Sequence, residues 1–273
     1  MLGATLLAIG AAVLHAGWNF AIKQSGDRWL ALWGQFFVAG IGCVMLVFGL
    51  GGVPAVAWGW AVVSGLIHVA YAWFLARAYD IGEFSVTYPM ARGCGAVLAA
   101  IGGVVLLGDT LSTTKVVGVG ITAIGLWMIA GPADGAHVRV ALAVASTICM
   151  YTIVDSHGSR ATGGYLYPLA AITTFGALTT LHGIALGRRR DMIAAFRINW
   201  LRFAITGAAS FVTYWMVLVA VQHASVGYVT ALRESSVVFA TLVGVFVLKE
   251  PNARRRVTAA CIAVGGLVIL VVG

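Results

Sequence analysis

Apolar residues run through this chain in ten blocks of about 20, at positions 2–22, 29–50, 55–77, 84–107, 113–131, 138–157, 165–187, 200–222, 225–248 and 254–272. That is the length an α-helix needs to cross the hydrocarbon of a bilayer, so the pattern predicts ten transmembrane helices. The breaks between blocks carry turn-type or charged residues: Gly51-Gly52-Val53-Pro54, Gly108-Asp109, Gly131-Pro132-Ala133-Asp134-Gly135, Gly163-Gly164, Arg188-Arg189-Arg190-Asp191 and Lys249-Glu250-Pro251-Asn252. The sixth block has the least well-marked end, because Asp155, His157 and Arg160 fall there. Gaps this short hold no second domain, so function is expected to reside in the membrane.

Composition sharpens the picture. The chain is 61% hydrophobic and 10% charged, with a mean hydropathy of +0.98, where a soluble domain has about a quarter of its residues charged. A soluble enzyme is excluded. The 35 glycines suit close helix packing in lipid, and the 9 tryptophans suit interfacial belts. Cys43, Cys94, Cys149 and Cys261 lie within apolar blocks, without the spacing of a zinc site or a disulfide framework. The N-terminus opens into an apolar run with no basic leader and continues through His15 and Asn19, so it reads as a first spanning helix and not a cleaved signal.

Sliding the second half onto the first by 141 positions superposes Arg92 on Arg233, Gly103 on Gly244, Asp109 on Glu250 and Gly125 on Gly266. A shift of 142 brings Ala78 onto Ala220, which implies one insertion. The expected units are residues 1–134 and 135–273, each of five helices. An odd number makes the second copy enter the membrane from the opposite side, an architecture of secondary transporters with a site near the midplane. The net charge of +8 orients the chain in the membrane and does not point to nucleic acid. The loops after odd-numbered helices hold 13 Lys and Arg, the other side only Lys115 and Arg160, so the odd-loop side is expected in the cytoplasm and both termini outside.

The polar residues inside the blocks are the site candidates. Arg92 and Arg233 each lie about eight residues into a helix, roughly 12 Å along its axis, too deep to reach an interface easily. Their donor forks suit a carboxylate, phosphonate or sulfonate. The bland alternative is a structural ion pair, Arg233 with Asp155 or Arg92 with Glu234. Glu234 either neutralises Arg92 or titrates as a proton-coupling carboxylate; Asp155 is a similar candidate, or simply solvated near a helix end. His15, Trp18 and Asn19 share one face of the first helix at i, i+3 and i+4, with Lys23 a turn further on and expected at the interface. Tyr71, Tyr88, Tyr151, Tyr214, Trp215 and Tyr228 could form aromatic walls; Tyr88 and Tyr228, about one turn before the arginines, stand out. Pro89 would kink the fourth helix. His68 and His223 read as structural, the arginine clusters 188–190 and 254–256 as topology determinants, and Asp109 and Glu250 as starts of the fifth and tenth helices.

Several motifs give the chain a family resemblance: His15-Ala-Gly-Trp18-Asn19 with Lys23; Tyr79-Asp-Ile-Gly-Glu-Phe-Ser-Val-Thr-Tyr-Pro89; Leu107-Gly-Asp109-Thr-Leu-Ser; Tyr151-Thr-Ile-Val-Asp155; and Leu248-Lys-Glu250-Pro. In their order, and with the repeat, the chain resembles the drug/metabolite transporter superfamily, specifically the bacterial EamA-like exporters of ten helices. The resemblance implies an all-α membrane protein, two inverted five-helix repeats around a central cavity lined mainly by helices 1, 3, 4, 6, 8 and 9, with helices 5 and 10 as outer supports. It also implies transport of small metabolites, often amino acids. The family is commonly drawn with cytoplasmic termini; the charge tally here says otherwise.

The function expected is a secondary carrier of a small anionic or zwitterionic metabolite in a bacterial inner membrane. Its partners would be that solute, membrane lipid and a coupling proton; no cofactor, metal or nucleic acid is expected, and the protein would be a monomer or homodimer. The binding residues would be Arg92, Arg233, Glu234, Tyr88, Tyr228, His15, Trp18, Asn19, Tyr151, Asp155 and Tyr214. The rival within transport is an exporter of cationic or aromatic drugs drawn in by Glu234 and Asp155. An intramembrane enzyme lacks its motifs, and no Gly-x-x-x-x-Gly-Lys loop points to ATP hydrolysis. A non-transporting scaffold would pair its charges and leave no cavity.

Overall fold

The computed structural model of the chain describes residues 2–107, 112–130, 135–162, 166–223, 229, 232–233 and 235–272. Among them the chain is helical throughout: α1 (Leu2–Lys23), α2 (Arg28–Gly49), α3 (Ala55–Ile81), α4 (Phe84–Leu107), α5 (Thr113–Ala130), α6 (Gly135–Ala161), α7 (Tyr167–Ala185), α8 (Arg189–His223), α9 (Ser236–Leu242, continued by a π-helical turn Val243–Val247) and α10 (Ala253–Val272). Among the described residues α1, α2, α3, α6, α7 and α8 are long and apolar enough to cross a membrane. Tyr228 and Glu234 lie outside the described residues, as does Asp109.

Local chemistry sets the ends. Asp27 accepts from Leu30 N at 2.9 Å and caps α2. Pro54 opens α3 after Gly51 and Gly52, both at positive φ, and Gly187 in the left-handed region closes α7. Three helices overrun their apolar blocks by several residues, α3 among them, which runs on to Ile81. α6 continues to Ala161 because its polar end finds partners: Asp155 is buried, His157 stacks on Trp60 at 5.7 Å, and Ser159 donates to Leu218 O. Asp155 is therefore not a solvated helix end. α8 begins at Arg189, eleven positions before its block.

Side chains divide as lipid requires. Large apolar groups such as Phe48, Trp127 and Phe246 stand on the outside, while buried polar groups such as Gln35, His68 and Asp155 lie within, among small residues and aromatic ones such as Phe36 and Phe175. The principal packings are α1 on α8, α3 on α6, α2 on α7, α3 on α7, α2 on α8, α4 on α6, α1 on α9 and α5 on α10. Exchanging each helix with the one five places away turns α3–α6 into α8–α1, α3–α7 into α8–α2, and α4–α6 into α9–α1. The α5–α10 seam maps onto itself in detail. A Cβ on Gly125 would lie 2.4 Å from Ala263 N, and one on Gly266 2.4 Å from Thr122 N, where 125 and 266, like 122 and 263, differ by 141.

Candidate functional site

α1 carries the stripe seen in the sequence, but the structure divides its labour. His15 and Trp18 turn inward and meet edge to face at 4.7 Å. Asn19 does not reach the cavity: its amide donates to His15 O at 2.9 Å and accepts the Tyr79 hydroxyl at 2.8 Å, tying α1 to α3. Lys23 is not spent on the interface; its ammonium donates to Tyr79 O (2.8 Å) and Gly82 O (2.6 Å), closing the C-terminus of α3.

Where His15 and Trp18 point, a chamber of about 30 Å³ opens, room for one or two waters. Phe36 of α2, His68 and Tyr71 of α3, Tyr151 of α6, Ile172 and Phe175 of α7, Ser210, Thr213 and Tyr214 of α8, and Arg233 complete its wall. α2 and α7 thus contribute beside the helices expected. Arg233 is 6% exposed and Arg92, on α4, 3%. Arg92 and Tyr88 sit behind the chamber: Tyr88 lies 6.0 Å from His15 ring to ring, and the charges of both arginines act on His15 and Tyr71. His15 Nε2, Trp18 Nε1 and Arg233 Nε are buried without a hydrogen-bond partner among the described residues. Buried polar atoms are nearly always satisfied, so three facing one chamber mark a place for a polar guest.

Residues 138–272 match the model of the EamA-like transporter family. That match covers the second half of the chain and places it in the drug/metabolite transporter superfamily. The chain is a multi-pass membrane protein and a transporter of the drug/metabolite type, which points away from an enzyme. A solved crystal structure of a protein aligns with 98% of this chain and 97% of its own, at a TM-score of 0.67 and 17% identity, a likeness that shows the fold alone. No curated protein matches the chain.

In this transporter Asp155 is 1% exposed and bound by two hydroxyls, Tyr167 at 2.7 Å and a short bond from Tyr214. Among the described residues Arg233 does not pair with it. His68, expected as structural, lies against the chamber with Phe175 stacked 3.6 Å away and Tyr151 at 4.3 Å; its Nδ1 approaches Ser64 O at 3.0 Å and Ser64 Oγ at 3.3 Å. Sequence reasoning missed His68, although Ser64, His68 and Tyr71 recur at i, i+4 and i+7 on α3. Phe36, Phe175, Ser210 and Thr213 gave no signal, being ordinary in an apolar helix.

The bundle end where odd-numbered helices finish is clamped between the halves. Glu250, expected to start α10, instead caps α4, accepting from Phe84 N at 2.8 Å and Ser85 N at 2.9 Å. Arg256 crosses from α10 to Ser85 Oγ (2.5 Å), Glu250 (3.3 Å) and Glu83. Gly244 makes this possible, since a Cβ there would meet Ser85 Cβ at 2.6 Å and Glu250 Oε2 at 2.7 Å. Nearby, Arg188 pairs with Asp27 over the Trp29 ring, and Arg202 donates to Ala21 O. A second cavity of about 500 Å³, lined by Arg77, Glu83, His137, Arg255 and Arg256 among others, opens at this end.

Proposed function

We propose that the transporter carries a small anionic or zwitterionic metabolite by alternating access around the His15–Trp18–Arg233 chamber. The observation that carries this reading is a chamber walled by buried polar atoms of His15, Trp18 and Arg233 that lack partners among the described residues, with the charges of buried Arg92 and Arg233 both acting on that histidine. An anion entering would give Arg233 a charge-assisted partner, worth about 1.5–3 kcal/mol, and the Trp18 N–H an acceptor. Tyr71, Tyr151 and Tyr214 are the walls that would select shape.

The two units of the carrier are residues 1–134 and 135–273, inverted with respect to each other. The helix pairings that survive exchange of the halves, and the reciprocal glycine contacts of α5 and α10, support this. The arginine-rich end faces the cytoplasm of a bacterial cell, with both termini outside. At that end Glu250, Arg256 and Arg188 tie helices together beside the cavity that opens there.

Thermal stabilisation of the purified transporter by amino acids, aminophosphonates, carboxylates, sulfonates and lipophilic cations tests the reading. An acidic or zwitterionic solute raises the transition temperature of the wild type and fails to raise that of Arg233→Ala. Stabilisation by lipophilic cations that survives Arg233→Ala overturns it and favours a drug exporter.

A further inference from the structure

Transport through the chamber leaves one buried group unused. Asp155 sits behind Tyr214, deep among four helices, where a full carboxylate charge costs upward of about 2.5 kcal/mol. The groups around it can be taken element by element. α7 brings Tyr167, α8 brings Tyr214, and α3 brings Ser64 with His68 beyond it. α6 itself adds Tyr151, which touches His68, while Ser156 turns back to Thr152 O. α4 brings Arg92 and Tyr88, which stand with the cationic centre around His15. Among the described residues no arginine or lysine forms an ion pair with Asp155.

This neighbourhood serves either form of the acid. Two tyrosine hydroxyls donate to the carboxylate; when it is protonated, one of them rotates and accepts from it, because a hydroxyl does both. Burial favours the neutral form and hydroxyl donation the charged one, so neither is locked. One route leads from the carboxyl to the chamber wall, through the Tyr214 hydroxyl, and it ends on a residue that lines it. A carboxyl that only tied helices together would not need it.

We propose that Asp155 is the proton-binding group that couples solute movement to proton movement, connected to the chamber by Tyr214. The coupling rests on the transport reading above; the proton site itself does not. In each cycle the carboxylate takes one proton from the chamber while it faces one side and returns it when the chamber faces the other. An anion held by Arg233 then travels with one compensating positive charge.

The first arm of the test needs no solute. Infrared difference spectra of the purified protein between acid and alkaline buffer should show the carbonyl band of a buried carboxylic acid. The band should persist in Arg233→Ala and vanish in Asp155→Asn, whose amide accepts from one tyrosine and donates to the other and so keeps the fold. Its absence from the wild type, or its survival in Asp155→Asn, overturns the proposal. The second arm uses proteoliposomes with a clamped membrane potential, an internal pH dye, and glutamate, taurine or an aminoethylphosphonate as probe. One proton per solute gives about tenfold accumulation per pH unit of gradient. Asp155→Asn should lose the accumulation and the dye signal. Tyr214→Phe, lacking one donor to the carboxylate, should move the pH profile of accumulation to higher pH. Proton-driven accumulation in Asp155→Asn overturns the coupling, as does accumulation driven by sodium with no dye signal. A wild type that carries none of the probes but shows the band counts against the solute class alone.

Discussion

Substituting Gly266 by alanine should loosen the α5–α10 seam by a calculable amount. The added Cβ would stand 2.4 Å from Thr122 N and 2.7 Å from Gly118 O, both backbone atoms, about 1 Å short of the 3.4 Å at which ordinary contact begins. No rotamer relieves a backbone clash, so the helices must separate. Separation by about 1 Å also breaks the bond from Thr122 Oγ1 to Ala263 O, already 3.3 Å long. Overpacking of this kind costs about 1–3 kcal/mol, and the lost bond about 0.5–1.5 kcal/mol more. Gly265, one residue earlier, has nothing within 4 Å of its Cβ position and serves as the matched control. Thermal unfolding in one detergent, followed by intrinsic fluorescence, should rank Gly266→Ala well below both the wild type and Gly265→Ala. Gly125→Ala should behave as Gly266→Ala does, with its Cβ 2.4 Å from Ala263 N. Because one separation relieves both clashes, the double variant should fall short of the sum of the singles. Equal stability of Gly266→Ala and Gly265→Ala would refute the reasoning.

Four further outcomes follow from the contacts described. Gly244→Ala should push Glu250 off the start of α4 and cost about 1–2 kcal/mol, the worth of a helix cap, measured by the same melt. Arg256→Ala strands Glu250, whose side chain is 8% exposed, and should cost about 3–5 kcal/mol; Arg188→Ala, at a more exposed pair, should cost under about 1 kcal/mol and lose even that at high salt. Tyr79→Phe removes the hydroxyl bond to Asn19 and should cost about 1 kcal/mol without altering which solutes bind. An alkaline phosphatase joined after Leu50 should be active outside the cell and one joined after Gly187 inactive, and the reverse result would invert the orientation.

Much of this architecture was legible because lipid imposes a simple rule on sequence. Among the described residues the apolar runs became helices, six of them long and apolar enough to span a membrane, and the glycine and proline cluster at 51–54 became a turn with Gly51 and Gly52 at positive φ. The site was legible in outline. His15, Trp18, Tyr151, Tyr214 and Arg233 do meet at one chamber, since a polar group in an apolar run has few other places to go. What failed was pairing across long separations. Glu250 caps a helix that begins 166 positions earlier, which no local pattern announces, and the π turn at Val243–Val247 that precedes it has no sequence signature either. Asp155 was left open for a related reason. Asp155, His157 and Arg160 blur the edge of the sixth apolar run, so a buried carboxylate and a solvated helix end read alike, whereas Tyr167 and Tyr214 let the helix carry a carboxylate inward. Partners on other helices, not the residue's own polarity, decided where it could sit.

The cap that Glu250 places on α4 has a mechanical corollary. α4 bears Arg92 and Tyr88, yet its first free amides are satisfied by a loop belonging to the other half of the molecule. Drawing the halves apart at that end exposes those amides and releases the positive pole of the helix toward the opening. The doorway would thereby grow attractive to negative ions at the moment it admits them, and closing it would turn that attraction back upon the protein's own carboxylate.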